Sequence, residues 1–248
     1  MSPDFDVGAG VAAAVRDRAG AWRFIADFAG AWLSPLTDGD GYSDSDIAAA
    51  EERLSVKLPV AVREAYRLFG RREDLTSEQD DLLRPGEWRL EDDGRVLVFR
   101  VENQGCARWG VRLDHPGQED PPVVMRVDVA GQRTGWMPYL DRFSLACLEI
   151  ALSEAVIGAE PELGLDDNGP LDDEAAVTAL ERNFTRLAIP AYPMWAMAGQ
   201  SNPDVRWFAG PDVILRCDGD EWVWARARTR AALAPVRKAL PVDWLMLP

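Results

Sequence analysis

The chain has 248 residues, of which 47% are hydrophobic, so it is long enough and apolar enough to form a sizeable core. Lys and Arg total 27 against 42 Asp and Glu, which gives a formal net charge of -15. This charge repels phosphate backbones and anionic lipids, so it argues against binding to nucleic acid or to a membrane and favours basic partners. The beginning of the sequence lacks a basic n-region, and no stretch has the length of a bilayer-spanning helix, so a cytoplasmic location is expected.

The N-terminal third shows helical periodicity with recognisable ends. Apolar residues from Val11 to Trp32 recur along one side of a helix, which Gly20 weakens or divides. Ser43 followed by Asp46 resembles a capping box that opens a second helix. Pro59 suits the first position of a third helix, and Gly70 suits its end. We therefore expect helices before the first strand.

The stretch from Arg95 to Leu113 predicts a β-hairpin. The unbroken apolar run 96–99 indicates a strand buried on both faces, whereas residues 107–113 alternate between apolar and polar, as in a strand with one packed face. Between them, Gly105 suits a positive φ in the turn 102–105. A preceding strand after Trp88, a further strand at 123–129 and a pairing segment at 135–137 predict an antiparallel sheet.

These residues resemble a known family when taken in order. Its pattern is followed by Gly41-Tyr42-Ser43, Ile47, Glu51, Leu58-Pro59, Gly70, Phe99, Glu102-Asn103-Gln104-Gly105 and Trp109-Gly110. Over about Ala21 to Gly158 the chain resembles the SUKH superfamily, the Smi/Knr-like domain. The resemblance implies an α+β fold with an antiparallel β-sheet flanked by helices. It also implies a non-enzymatic binding module, since bacterial members are similar to immunity proteins of polymorphic toxin systems.

Three segments are predicted. Residues 1–158 form a SUKH-like domain with an N-terminal helix, and a helix at 145–156 behind the cap Ser144 completes it. Residues 159–174 are read as an exposed acidic linker, because seven acidic residues and no basic one occur between Glu160 and Glu174. Residues 175–248 form a small C-terminal α+β extension, with strands at 205–208, 213–216 and 221–226 and a last helix opened by Thr229. Its small size suggests that it docks on the first unit.

No catalytic group, metal site or cofactor is predicted. Cys106, Cys147 and Cys217 lack the spacing of a zinc site or a disulfide framework, and the motifs of common hydrolases and nucleotide-binding proteins are missing from the sequence. The sole histidine, His115, lies in a turn sequence and is read as a surface residue. Adjacent acidic pairs such as Asp172-Asp173 are expected from abundance alone, so a carboxylate-dependent hydrolase is the third choice of function.

The favoured function is an intracellular immunity protein that neutralises a cognate toxin domain, such as a basic nuclease, by stoichiometric binding. Acidic groups in the turn beside strand-borne tryptophans would imitate the phosphates and bases of a nucleic acid. The candidate partner-binding residues are Trp88, Glu91, Asp92, Asp93, Glu102, Asn103, Gln104, Trp109 and Trp136. Residues 102–104 also have a structural reading, as turn residues that bond their own backbone. The alternative function is an intracellular adaptor, and the oligomeric state is left open.

Overall fold

The computed structural model describes residues 5–114, 117–129, 132–157, 163–171, 173–197 and 204–246. Helices and antiparallel strands occur there in separate runs along the chain, as in an α+β protein, which confirms the predicted fold class. The helices are α1 (Val7–Ala14), α2 (Arg18–Trp32), α3 (Asp44–Leu54), α4 (Val60–Phe69), α5 (Glu73–Thr76), α6 (Phe143–Ile157), α7 (Glu174–Asn183) and α8 (Arg230–Ala239). None of them has the length and apolar character needed to cross a bilayer.

The strands belong to two sheets. The first sheet contains β1 (Asp81–Leu82), β2 (Arg89–Glu91), β3 (Val96–Val101), β4 (Ala107–Arg112), β5 (Val123–Val129), β6 (Gln132–Arg133) and β7 (Met137–Leu140). The second contains β8 (Asp166–Pro170), β9 (Thr185–Arg186), β10 (Tyr192–Pro193), β11 (Asp204–Gly210), β12 (Val213–Asp218) and β13 (Trp222–Ala227). The strand order is β1-β3-β4-β5-β6 in the first sheet and β10-β11-β12-β13-β8 in the second. β2 pairs with β3, β7 with β5, and β9 with β11.

The helix ends follow the predicted chemistry, with two small displacements. The N-terminal helical stretch is divided in two, but the division falls before Arg18, where the Asp17 carboxylate caps α2 by accepting from the Gly20 N–H at 2.7 Å. Ser43 and Asp46 form the predicted capping box at the start of α3. α4 ends at Gly70 as predicted, but Pro59 is its N-cap, and the first helical position is taken by Val60.

The predicted hairpin is confirmed as β3 and β4, and Gly105 has a φ of +77° in the turn between them. The alternation along β4 and β5 places Trp109 and Met125 toward the core and Arg108 and Arg126 on the opposite, outer face. On β3 the pairing skips Phe99, so that Val98 pairs with Gly110 and Arg100 pairs with Trp109. This β-bulge turns Arg100 to the inner face, where simple alternation would not place it.

α6 lies between the two sheets. The ring of Phe143, at its start, packs 5.0 Å from the ring of Phe99 on the first sheet, and the helix also contacts β12 and β13 of the second. Every residue of α6 except Ile157 is buried. The prediction that Ser144 caps this helix is wrong, because Ser144 is the second helical residue and its hydroxyl donates to Asp120 at 2.6 Å.

The predicted exposed linker 159–174 is wrong over residues 166–170, which form β8 and pair with β13. The stretch is acidic, but Asp167 is buried and accepts hydrogen bonds from Arg237 Nε and from the Met246 N–H. The guanidinium of Arg237 therefore compensates its negative charge. The strands predicted at 205–208, 213–216 and 221–226 and the helix capped by Thr229 are confirmed.

The second sheet is covered on both faces. One face adds Tyr192, Trp207 and Ile214 to the same core cluster as α2, α4 and α6, while the other packs on α7 and α8. A continuous core therefore runs from the N-terminal helices through α6 to the second sheet. The division of the chain into separate domains stays a prediction.

Candidate functional site

The structure places Trp88 in the core rather than on a binding surface. Its side chain is 1% exposed, and its indole N–H donates to the Tyr66 hydroxyl at 2.9 Å. The Tyr66 hydroxyl in turn donates to the Leu83 carbonyl oxygen at 2.8 Å. The prediction that Trp88 contacts a partner is therefore wrong, because reaching its ring requires opening this buried hydrogen-bond chain.

Trp109 and Glu102 are also buried. Trp109 is 3% exposed and faces the core, with the Arg100 guanidinium 4.8 Å from its ring centroid. The Glu102 carboxylate accepts from the backbone N–H groups of Gln104 and Cys106, both at 2.9 Å. Glu102 therefore has the structural role, holding its own turn. Asn103 and Gln104 are exposed at the tip of the turn.

Glu91, before the acidic turn, is paired with arginine side chains and is not a free carboxylate. Its carboxylate lies 2.5 Å from Arg126 Nη1 and 3.4 Å from Arg133 Nη2, while Asp92 pairs with Arg95 at 2.9 Å. Asp92 and Asp93 both have φ values of 55°, as the turn requires. Imitation of nucleic-acid bases by Trp88 and Trp109 is therefore wrong, because both rings are buried, whereas Asp93 is an exposed carboxylate of the turn.

Two of the candidate residues do come together on the outer face of the first sheet. The Arg126 guanidinium that pairs with Glu91 also lies 4.8 Å from the ring centroid of Trp136. Beneath the indole is Gly110, where an added Cβ would lie 3.4 Å from the Trp136 ring. Trp136 is partly exposed. We call this group, Glu91, Gly110, Arg126 and Trp136, the outer-face cluster.

Positive charge surrounds the outer-face cluster. The strand pairings place arginines on this face beside Asp128 and Glu91, and the arginines are Arg89, Arg108, Arg112, Arg126 and Arg133. Burial lowers the pKa of Arg126, Glu91 opposes that shift, and the nearby charges of Arg133 and Arg108 add to it. The carboxylates Asp81 and Asp114 also lie beside these arginines, so the face carries a slight positive excess on a chain whose net charge is -15.

A second polar cluster lies between the two sheets around α6. Arg100 pairs with Glu154 in a short hydrogen bond, with Asp80 at 3.4 Å and with Glu149 at 3.5 Å, and all four side chains are buried. Burial opposes the positive charge of Arg100, but these three carboxylates raise its pKa above the usual range. Burial raises the pKa of Asp80 and of Glu154, and Arg100 partly offsets both shifts.

The second sheet completes this cluster. Arg216 Nε donates to Asp218 at 2.7 Å, and its Nη1 donates to the Ser153 hydroxyl on α6 at 2.6 Å. The Tyr192 hydroxyl donates to Glu149 at 2.8 Å, and Trp224 Nε1 donates to Asp218 at 2.9 Å. We call the whole group the intersheet cluster. It joins α6 to both sheets through hydrogen bonds that apolar packing alone would not specify.

A cavity of about 190 Å³ adjoins the intersheet cluster. Carboxylates, guanidinium groups and aromatic rings line it together, among them Asp80, Glu149, Asp218, Arg100, Arg216, Tyr139, Trp195 and Trp224. Of the described residues that line the cavity, only Trp109 was singled out from the sequence as a candidate binding residue. The signal that was present is the polar triplet Glu149, Ser153 and Glu154 inside an otherwise apolar helix, since buried charges require partners.

Within the ranges that the structure describes, no three His, Cys, Asp or Glu side chains are arranged to hold a metal ion. His115 lies outside the described residues. The sequence matches no protein-family model and no curated protein sequence. The resemblance to the SUKH superfamily therefore stays a prediction.

Proposed function

We propose that this chain is a protein-binding module that acts by stoichiometric contact, and that its cellular role is that of an immunity protein that neutralises a toxin domain. The observation that carries the proposal is the outer-face cluster, in which a partly exposed Trp136 is stacked on Arg126 at the centre of a sheet face. Tryptophan and arginine are the residues most enriched among binding hot spots.

The resemblance to the SUKH superfamily supports the immunity role, and residues that carry it contact one another or the helix α4. The Glu51 carboxylate accepts from the Leu58 N–H at 2.9 Å, and the Tyr42 N–H donates to the Tyr66 carbonyl oxygen at 2.8 Å. An added Cβ on Gly41 would lie 1.6 Å from the Arg67 carbonyl oxygen, so only glycine fits there. The part of the pattern from Gly41 to Gly70 thus corresponds to one packed unit of α3 and α4.

The charge of the outer face suggests what the partner offers. At physiological ionic strength the Debye length is about 8 Å, so at contact the local arginines outweigh acidic groups on the far side of the molecule. A partner surface with carboxylates opposite Arg108 and Arg133, which are partly exposed and exposed, respectively, would complement this face. The net charge of -15 still favours the approach of a partner that is basic elsewhere.

The test is an affinity capture from the native host, with crosslinking and mass spectrometry, using the intact chain. Intact protein is required because removal of the second sheet would expose one side of α6. The matched variants are Trp136→Ala, on the outer face, and Trp222→Ala, which removes a partly exposed tryptophan from the second sheet.

We expect one toxin-like protein at one-to-one stoichiometry with the wild type and with Trp222→Ala, and its loss with Trp136→Ala. Coexpression of the captured protein's toxic domain with the wild type should restore growth, and coexpression with Trp136→Ala should not. Capture of several housekeeping proteins would favour the adaptor role. Equal capture by both variants would remove the outer face from the proposal.

A further inference from the structure

The intersheet cavity has features that the structural role of the cluster does not explain. Its volume of about 190 Å³ is that of roughly six water molecules at about 30 Å³ each, so it can hold a ligand of about six to eight non-hydrogen atoms. The partly exposed side chains of Met194, Trp195 and Trp224 contribute to its lining. A small molecule could therefore enter without separation of the two sheets.

The charges around the cavity do not balance among the described residues. The carboxylates are Asp80, Glu149, Glu154 and Asp218, and the guanidinium groups that pair with them are Arg100 and Arg216. Glu149 Oε2 is buried, and the cation nearest to it is Arg100, whose Nη1 lies 3.5 Å away, longer than a usual charged hydrogen bond. Uncompensated negative charge in a desolvated site is costly, and a bound cation would relieve that cost.

The walls of the cavity suit an organic cation better than a hydrated metal ion. Tyr139, Trp195 and Trp224 add aromatic rings to the lining, and aromatic faces attract cations that carry little hydration, such as alkylammonium groups. The same chemistry already occurs beside the cavity, where Arg100 lies over the ring of Trp109. The carboxylates would supply the negative charge that pairs with the ammonium ion, and the aromatic rings would supply walls that fit its alkyl groups.

We propose that the intersheet cavity is a binding site for a small organic ammonium ion, with Asp80 as its counter-ion and with Trp195 and Trp224 in its aromatic wall. Asp80 is the carboxylate best placed for this role, because its one described ion pair, to Arg100, is 3.4 Å long and its side chain is about one-tenth exposed. Glu154 is fully buried behind it and is held by Arg100 and by the Gln79 N–H.

The experiment titrates the full-length chain with choline and, as a neutral match, with 3,3-dimethylbutan-1-ol, in which carbon replaces the charged nitrogen. The readouts are calorimetry and the ¹⁵N-labelled indole N–H signals of the tryptophans. We expect saturable choline binding that shifts the indole signals of Trp195 and Trp224 and leaves that of Trp22, which donates to Glu64, unchanged. The alcohol should bind at least about tenfold more weakly.

Two neighbouring carboxylates provide a matched pair of variants. Asp80→Asn removes the proposed counter-ion, and Asp81→Asn removes an exposed carboxylate next to it on β1. We expect choline affinity to fall at least about fivefold in Asp80→Asn and to change less than about twofold in Asp81→Asn. If Asp80→Asn does not fold, Trp195→Leu, at a partly exposed position, serves instead and should give a similar loss.

Three results would overturn the proposal. One is the lack of any saturable change up to roughly 20 mM choline, a range that covers millimolar affinities. Another is equal binding of choline and of the neutral alcohol, which would make the cavity an apolar site. The third is an equal loss of affinity in both carboxylate variants, which would reflect the general charge of the surface.

Discussion

Replacement of Arg100 by Met tests whether the intersheet cluster depends on its central cation. Methionine retains much of the apolar stem but leaves Asp80, Glu149 and Glu154 without the guanidinium that pairs with all three. Arg100 is 3% exposed, so its loss leaves carboxylates in a desolvated site without their principal cation. Removal of one partner from a buried ion pair typically costs about 3–5 kcal/mol, and we expect a loss of that size in the free energy of unfolding near neutral pH.

The stability loss in Arg100→Met should depend on pH, and the pKa shifts of the remaining carboxylates determine the direction. The pKa values of Asp80 and Glu154 are raised by burial above their ordinary values of 3.8 and 4.5, and Arg100 restrains both shifts. Without Arg100 the native state holds these protons more tightly than the unfolded chain, so stability increases as the pH falls toward the native pKa values. The deficit of Arg100→Met against the wild type should therefore shrink by at least about 1 kcal/mol between roughly pH 7 and pH 5.

Urea denaturation, followed by tryptophan fluorescence and by circular dichroism, measures both quantities. Arg67→Met is the matched control, because Arg67 pairs with Asp44 across an exposed surface, with side chains 43% and 69% exposed. Such pairs contribute less than about 1 kcal/mol, and the control should show no pH-dependent deficit. A loss below about 1 kcal/mol in Arg100→Met, or a deficit equal at both pH values, would refute the reasoning.

Three further predictions concern separate parts of the fold. Gly41→Ala should lower the free energy of unfolding in urea by about 3 kcal/mol or more, because its Cβ would overlap a carbonyl oxygen 1.6 Å away. The control Gly39→Ala should leave that free energy nearly unchanged, because the nearest atom to its Cβ would be 3.9 Å away. Tyr66→Phe leaves the buried Trp88 indole N–H without its acceptor and should lower the unfolding free energy by about 1–3 kcal/mol, and an unchanged urea midpoint would contradict this. In native protein, a thiol reagent should modify the partly exposed Cys106 first, and mass spectrometry should find the two buried cysteines modified only on unfolding, since burial raises their thiol pKa values.

Much of the local structure could be predicted because it depends on neighbours in sequence. The capping box of Ser43 and Asp46 closes within one helical turn, and Gly105 meets the backbone demand of a single tight turn. The strands β3, β4 and β5 follow their apolar patterns, because one face or both must be buried against something. None of these features requires knowledge of which distant segment supplies the contact.

The outer-face cluster, on which the proposed binding surface rests, was predicted only in part, because its members meet through contacts that are remote in sequence. Glu91 and Trp136 are far apart in sequence and meet through Arg126, which no pattern near either residue indicates. Trp88 and Trp109 have the composition of interface residues but are buried in the core. Ten tryptophans in one chain cannot be sorted into core and surface by sequence alone, since both environments favour them.

The amino-acid sequence by itself determined the α+β class, the central hairpin, most helix ends and the strands of the C-terminal third. Only the tertiary structure decided that α6 is buried on all sides, that Arg100 turns inward at a bulge and that acidic residues 166–170 form a strand. In each case the deciding partner is remote, since Glu154 lies 54 residues from Arg100 and Arg237 lies 70 from Asp167. Local pattern shows that a side chain is apolar or charged, but burial and pairing depend on contacts that exist only after the chain has folded.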